Sequence, residues 1–176
     1  MNDNKLFTVK TSMEKEDYHK FLYISTFLRS KIIIPFILLI SALMATFIAY
    51  RENQFSVTRF IILWIVLAVA AILTIIFKVE RRNKQRIKTD KTGVFNSQET
   101  LDFYEDFLII KSTVFEGESK IKYIQLYQVL ESKDYFITYF NMNQASLIRK
   151  KDMDKETIEM LRSLYQKTMG KKYKRI

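Results

Sequence analysis

Residues 32–50 and 60–77 contain no Asp, Glu, Lys or Arg. With a rise of about 1.5 Å per residue, helices over these windows reach about 27 to 28 Å, close to the roughly 30 Å hydrocarbon core of a bilayer. A buried helix of a soluble core usually carries some polar residues over such a length, and here only RENQFSVTR separates the two windows. The pair therefore reads as a transmembrane helical hairpin occupying residues 31–79, with spans of about 32–50 and 60–77. A cleaved signal peptide places its apolar stretch near the start. The first thirty residues here are mostly polar and no A-x-A-like site follows the first window, so no removal is expected.

Basic residues flank the hairpin unevenly. Arg29 and Lys31 precede it, and Lys78, Arg81, Arg82, Lys84, Arg86 and Lys88 follow it in KVERRNKQRIK, whereas the connecting loop holds only Arg51 and Arg59. An excess of Lys and Arg in short flanking segments marks the cytoplasmic side, so both termini are expected in the cytoplasm. A second reading is compatible with the first. Arg81, Arg82, Lys84, Arg86 and Lys88 can grip anionic lipid headgroups, each basic residue near the surface contributing about 1 kcal/mol. The net charge of +10, from 29 Lys and Arg against 19 Asp and Glu, also raises nucleic acid as a partner. Much of the excess lies beside the spans or in the tail GKKYKRI, so no nucleic-acid binding is expected.

Before the hairpin, residues 1–30 read as an extended segment, KLFTVKT, and then a helix from Glu14 to Arg29. TSME offers a capping box in which Thr11 accepts from the Glu14 amide and the Glu14 carboxylate returns to the Thr11 amide. Tyr18, Phe21, Leu22, Ser25 and Leu28 form the stripe of this helix. Its acidic first turn favours packing on a folded domain over lying on the membrane, where a basic polar face is usual. Pro35 falls in the first turn of the first span, where a missing N–H matters least.

After a basic juxtamembrane linker at 80–91 the pattern becomes that of strands. GVFNSQETLDF, FLIIKSTVF, SKIKYIQL, QVLES, YFITYFN and ASLIRK are separated by turn residues at 104–106, 116–119, 132–134 and 141–144. In YFITYF both faces carry large side chains, which requires cover on each side. Residues 153–169 then read as an amphipathic helix with Ile158, Leu161, Leu164 and Tyr165 on one stripe, capped by Asp152 or Asp154 and ended by Gly170. With the N-terminal segment as a seventh strand, residues 92–170 are expected to form a pleckstrin-homology-like antiparallel sheet or barrel closed by the C-terminal helix, followed by a basic tail at 171–176. The fold class is α+β, attached to a membrane hairpin.

The chain resembles the YcxB-like family of small bacterial membrane proteins over nearly its whole length. The resemblance is carried by FTVKTSMEKEDYHKFLY, by the hairpin, and above all by SKIKYIQLYQVLESKDYFITYFNMNQASLIRKKDM before the last helix. Its most specific part is Val129, Glu131, Lys133, Asp134, Tyr135 and Phe136, followed by NQASLIRK at 143–150. The family's usual IIPK ending reads LIRK, with Arg149 in place of proline. The resemblance implies a multi-pass protein of the bacterial cell membrane with a cytoplasmic domain. The family has no established reaction, so no catalytic residues carry over.

The residues themselves offer little for catalysis, and an enzyme is not expected. There is no Cys, hence no disulfide, thiolate nucleophile or Cys metal site. The single histidine, His19, cannot make a usual zinc site. Gly93, Gly117 and Gly170 are too scattered for a phosphate-cradling loop, and no cofactor is expected. Glu131 and Asp134 suit a turn or an ion pair better than paired acid–base chemistry. Neither span holds an ionisable side chain to mark a substrate path.

The candidate recognition features are therefore aromatic and basic. Among Tyr123, Tyr127, Tyr135, Phe136, Tyr139 and Phe140, the residues Tyr127, Tyr135 and Tyr139 can form an interaction face, or the cluster can be cross-strand packing. Arg149, Lys150 and Lys151 with the tail can form a second basic patch facing lipid, or a solvated surface. Ser41, Ala45 and Ala49 in the first span, and Ala70 with Thr74 in the second, permit close helix packing within the hairpin or between copies. Beyond the lipid bilayer, the expected partners are an anionic lipid or a protein, with a homo-oligomer also open. Two functions fit: a non-enzymatic membrane protein presenting an interaction domain, and an immunity or self-protection protein against a bacterial toxin.

Overall fold

The structure, a computed structural model, describes residues 4–51, 54–91, 93–95, 97–114 and 116–176. Contacts divide the chain into two compact units, residues 1–18 with 90–176, and residues 19–89.

In the first unit the extended N-terminal segment is β1 (Phe7–Ser12), and it pairs antiparallel with β2 (Gln98–Phe103), Val9 standing opposite Leu101. The meander continues through β3 (Phe107–Ser112) and β4 (Glu118–Lys122), giving a sheet of order β1-β2-β3-β4. A 3-10 turn at Tyr123–Gln125 then takes the chain out of this sheet. A second antiparallel meander follows, β5 (Gln128–Glu131), β6 (Tyr135–Tyr139) and β7 (Ala145–Arg149). Its outer edge is completed by β8 (Tyr173–Arg175), which runs parallel to β5.

The six runs read from the period-two pattern all contain strands. The eighth strand was not foreseen, because three residues of a basic tail, YKR, carry too little apolar pattern to announce one. Among the described residues no backbone ladder joins the two sheets, so they do not close into a barrel. Where β1 meets β7 the link is a side chain, the Arg149 amide donating to Thr11 Oγ1 at 3.1 Å.

One core serves both sheets. It contains Val9, Leu101, Phe103 and Leu108 from the first sheet, Val129, Phe136 and Ile148 from the second, and Leu161, Leu164, Tyr165 and Met169 from α4 (Lys155–Met169). Tyr165 is fully buried, with the rings of Phe103, Tyr123 and Phe136 centred 6.1 to 6.3 Å away. Its hydroxyl is matched by Thr138 Oγ1 at 3.0 Å, as a buried phenol requires. Every residue of β6 is buried, which explains why both of its faces carry large side chains. Asp154 is the N-cap of α4, accepting from the Thr157 amide at 2.7 Å, and Gly170 takes a positive φ of 48° at its end.

The capping box before α1 (Lys15–Tyr23) differs from expectation. Thr11 lies inside β1, and its hydroxyl donates to Asp152 Oδ2 at 2.8 Å. One arm of such a box is present three residues later, where Asp17 Oδ2 accepts from the Glu14 amide at 2.9 Å. β1 runs one residue past the extended segment read at 5–11, to Ser12, and the helix starts at Lys15 rather than Glu14.

In the second unit α1 continues through a π-helical turn at Ile24–Leu28, and the chain then enters α2 (Ile33–Ala49). A two-residue hairpin pairing Tyr50 with Phe55 and Arg51 with Gln54 leads to α3 (Val57–Thr89). By length and composition α3 is able to cross a membrane. α2 has 17 residues, and only when joined to Lys15–Leu28 across a bend of 58° does it form a second such element. α3 runs without a break through the stretch expected to be a linker.

α2 and α3 pack against one another. Ser41, Ala45 and Ala49 are buried, one turn apart on α2. On α3 the buried small residue is Ala68, whereas Ala70 and Thr74 are exposed. Two positions are about 200° of helix rotation, so packing within the hairpin uses Ala68, and Ala70 with Thr74 lies on the outward face. The Trp64 Nε1–H donates to the Leu38 carbonyl at 3.0 Å, tying the two helices further.

Candidate functional site

The basic run lies on the last three turns of α3. Helical periodicity sorts it into two faces. Arg81, Lys84 and Lys88, spaced i, i+3 and i+7, share a stripe with Leu73 and Phe77 further up the helix. Arg82 and Arg86, spaced i and i+4, fall on another. The structure bears out this sorting: Leu73, Ile76, Phe77, Glu80, Arg81, Lys84, Gln85 and Lys88 line one groove, which Arg82 and Arg86 do not enter. Glu80, the acidic residue of the groove, is already engaged. His19 Nε2 is 2.7 Å from its Oε1, and the Tyr23 hydroxyl donates to the same atom at 2.8 Å. His19 is thus a hydrogen-bond partner of Glu80. Among the described residues Arg81, Lys84 and Lys88 make no ion pair with a carboxylate.

The tyrosines do not form a shared outer face. Tyr127 is 45% exposed, but Tyr135 and Tyr139 are 3% and 2% exposed. Tyr135 is turned inward because its hydroxyl donates to Asp17 Oδ1 at 2.8 Å. Burial and the neighbouring Asp17 both push the Tyr135 hydroxyl above its ordinary value.

The second basic patch is divided: carboxylates take Arg149, Lys150 and Lys151, whereas Lys171, Lys172, Lys174 and Arg175 of the tail stay exposed. Arg149 is 6% exposed. Its guanidinium donates to Asp152 at 2.7 and 3.0 Å, to Glu14 at 2.5 Å, to Asp17 at 3.1 Å and to Ser12 Oγ at 2.5 Å. Burial alone would raise the Asp17 carboxyl; the Glu14 amide, the Tyr135 hydroxyl and Arg149 together hold it below the usual carboxylate range. Lys151 reaches Glu14 at 3.2 Å. Lys150 turns to Glu131 at 2.7 Å, and Lys172 donates to the Leu126 carbonyl at 3.1 Å.

Glu131 is the mirror image of Arg149, one buried anion among cations. Lys150, Arg162 and the Tyr173 hydroxyl all donate to it, with Arg175 at 3.6 Å. Burial works against its charge, but these donors hold its carboxyl down at about 2. The sequence pointed to a turn or an ion pair at Glu131; the actual partners are Lys150, just after β7, Arg162 on α4, and Tyr173 and Arg175 on β8. No local spacing signals such long-range pairs.

Both clusters are structural. They staple β1 and the start of α1 to β7, and β8 and α4 to β5. Among the described residues no three His, Asp or Glu side chains come together as a metal site. No family model, curated protein or solved structure matches the chain.

Proposed function

We propose that this protein is an integral membrane protein in which a two-span hairpin anchors a non-enzymatic, pleckstrin-homology-like cytoplasmic domain that engages anionic lipid or a protein partner, as the resemblance to the YcxB-like family implies. The observation that supports it is the outer surface of α2 and α3. Leu39, Leu43, Phe47, Ile62, Ile65, Leu73 and Phe77 are all exposed, Phe47 to 82% and Phe77 to 67%. Fully burying one such side chain is worth about 1.5 to 3 kcal/mol, so a surface of this composition belongs in lipid. The small residues face inward and the large apolar ones outward, the reverse of a helix pair in water.

The absence of cysteine makes the reading simple to test. Single cysteines are placed at Ser56→Cys, between the helices, and at Lys91→Cys, after α3. In intact cells a membrane-impermeant maleimide is expected to label the first and to reach the second only after permeabilisation. Equal labelling of both in intact cells, or release of the protein by alkaline carbonate, overturns the proposal.

A further inference from the structure

We propose that α3 carries a site for a single anionic phospholipid, with Leu73, Ile76 and Phe77 against an acyl chain and Arg81, Lys84 and Lys88 around the headgroup phosphate. The proposal rests on the membrane reading above and names the ligand of that hairpin. The groove is apolar at one end and cationic at the other, and Phe77 and Arg81 stand about one helical turn, roughly 6 Å, apart. That change over one turn matches the boundary between hydrocarbon and headgroup in one lipid molecule. Three cations on one stripe, spread over about 10 Å of helix, complement a phosphate and the anionic group beside it.

Glu80 would oppose an anion, but its carboxylate is drawn to His19 and Tyr23 of α1. Gln85 supplies a neutral donor between Lys84 and Lys88. The remaining cations of the run provide an internal contrast. A topology signal depends on how many Lys and Arg flank a span, whatever face they occupy. A binding site depends on the face. Removing two charges from the groove and two from the other stripe therefore separates the two roles at equal charge.

The test compares the intact protein with Arg81→Gln/Lys84→Gln and with Arg82→Gln/Arg86→Gln. Each is purified in mild detergent and titrated with phosphatidylglycerol, bound lipid being counted by native mass spectrometry, with phosphatidylcholine as the neutral control. The unaltered chain is expected to hold one phosphatidylglycerol per copy in preference to phosphatidylcholine. The groove pair is expected to weaken this at least tenfold, and the other pair less than twofold. Equal weakening in both pairs, no weakening in either, or no preference over phosphatidylcholine overturns the site. The same variants are washed with carbonate and labelled at Lys91→Cys. Membrane-integrated variants with unchanged orientation and equal lipid loss refute the site alone, whereas a chain that washes out refutes the anchor and the site together.

Discussion

Arg149 shows most sharply how a single position exceeds its sequence signal. At the end of β7 this chain has a guanidinium whose fork meets Asp152 and reaches Glu14 and Asp17. Proline there would lack the amide that donates to Thr11. Arg149→Met leaves Asp17 buried without its cation and is expected to cost about 3 to 5 kcal/mol in denaturant unfolding. Lys151→Met, at an exposed pair, is expected to stay within about 0.5 kcal/mol. For Glu131 the folded state depresses the carboxyl from 4.5 to about 2. Its contribution is therefore complete at neutral pH and is lost as the pH falls through that interval. Circular dichroism followed from pH 6 to pH 2 is expected to show this acid loss in the unaltered chain and a shallower one in Glu131→Gln.

Elements were legible where a period repeats. β6 and α4 announced themselves by alternation and by a three-to-four spacing with a cap, and both are present. Asp154→Ala, which removes that cap, is expected to lower stability by about 1 kcal/mol in the same unfolding measurement. Elements failed to show where tertiary contacts define them. β8 exists because Tyr173 reaches Glu131 and the strand finds the free edge of β5. The face of α3 that packs on α2 was not legible because small residues are frequent on every side of an apolar helix, and only the packing selects Ala68. Ala45 is fully buried on α2, so Ala45→Phe is expected to overpack the helix pair by about 1 to 3 kcal/mol. Loss of a cross-link between cysteines placed on the two helices would report it.

For the whole molecule, the two apolar helices and the β-rich domain were readable because both are long, repetitive signals. The separation into two sheets was not, since whether a meander closes depends on turns such as Tyr123–Gln125 and on which edges meet. The division of the candidate basic run into two faces needed only the knowledge that helix persists to Thr89. The domain is also discontinuous in sequence, because β1 belongs to the same sheet as β2 although a whole second unit lies between them. Deleting residues 4–12 is expected to abolish cooperative unfolding of the sheet and to open Leu101 and Ile110 to hydrogen exchange, since both residues pair across strands that β1 protects.

That discontinuity sets an order of events during synthesis. Thr8 emerges from the ribosome 94 residues ahead of Asp102, its hydrogen-bonded partner across the strands. At about 5 to 20 residues per second the wait lasts roughly 5 to 20 s, and both apolar helices are made within it. The amino-terminal strand must remain unpaired until the helices have been delivered, so that completion of the sheet comes after, and never before, their synthesis.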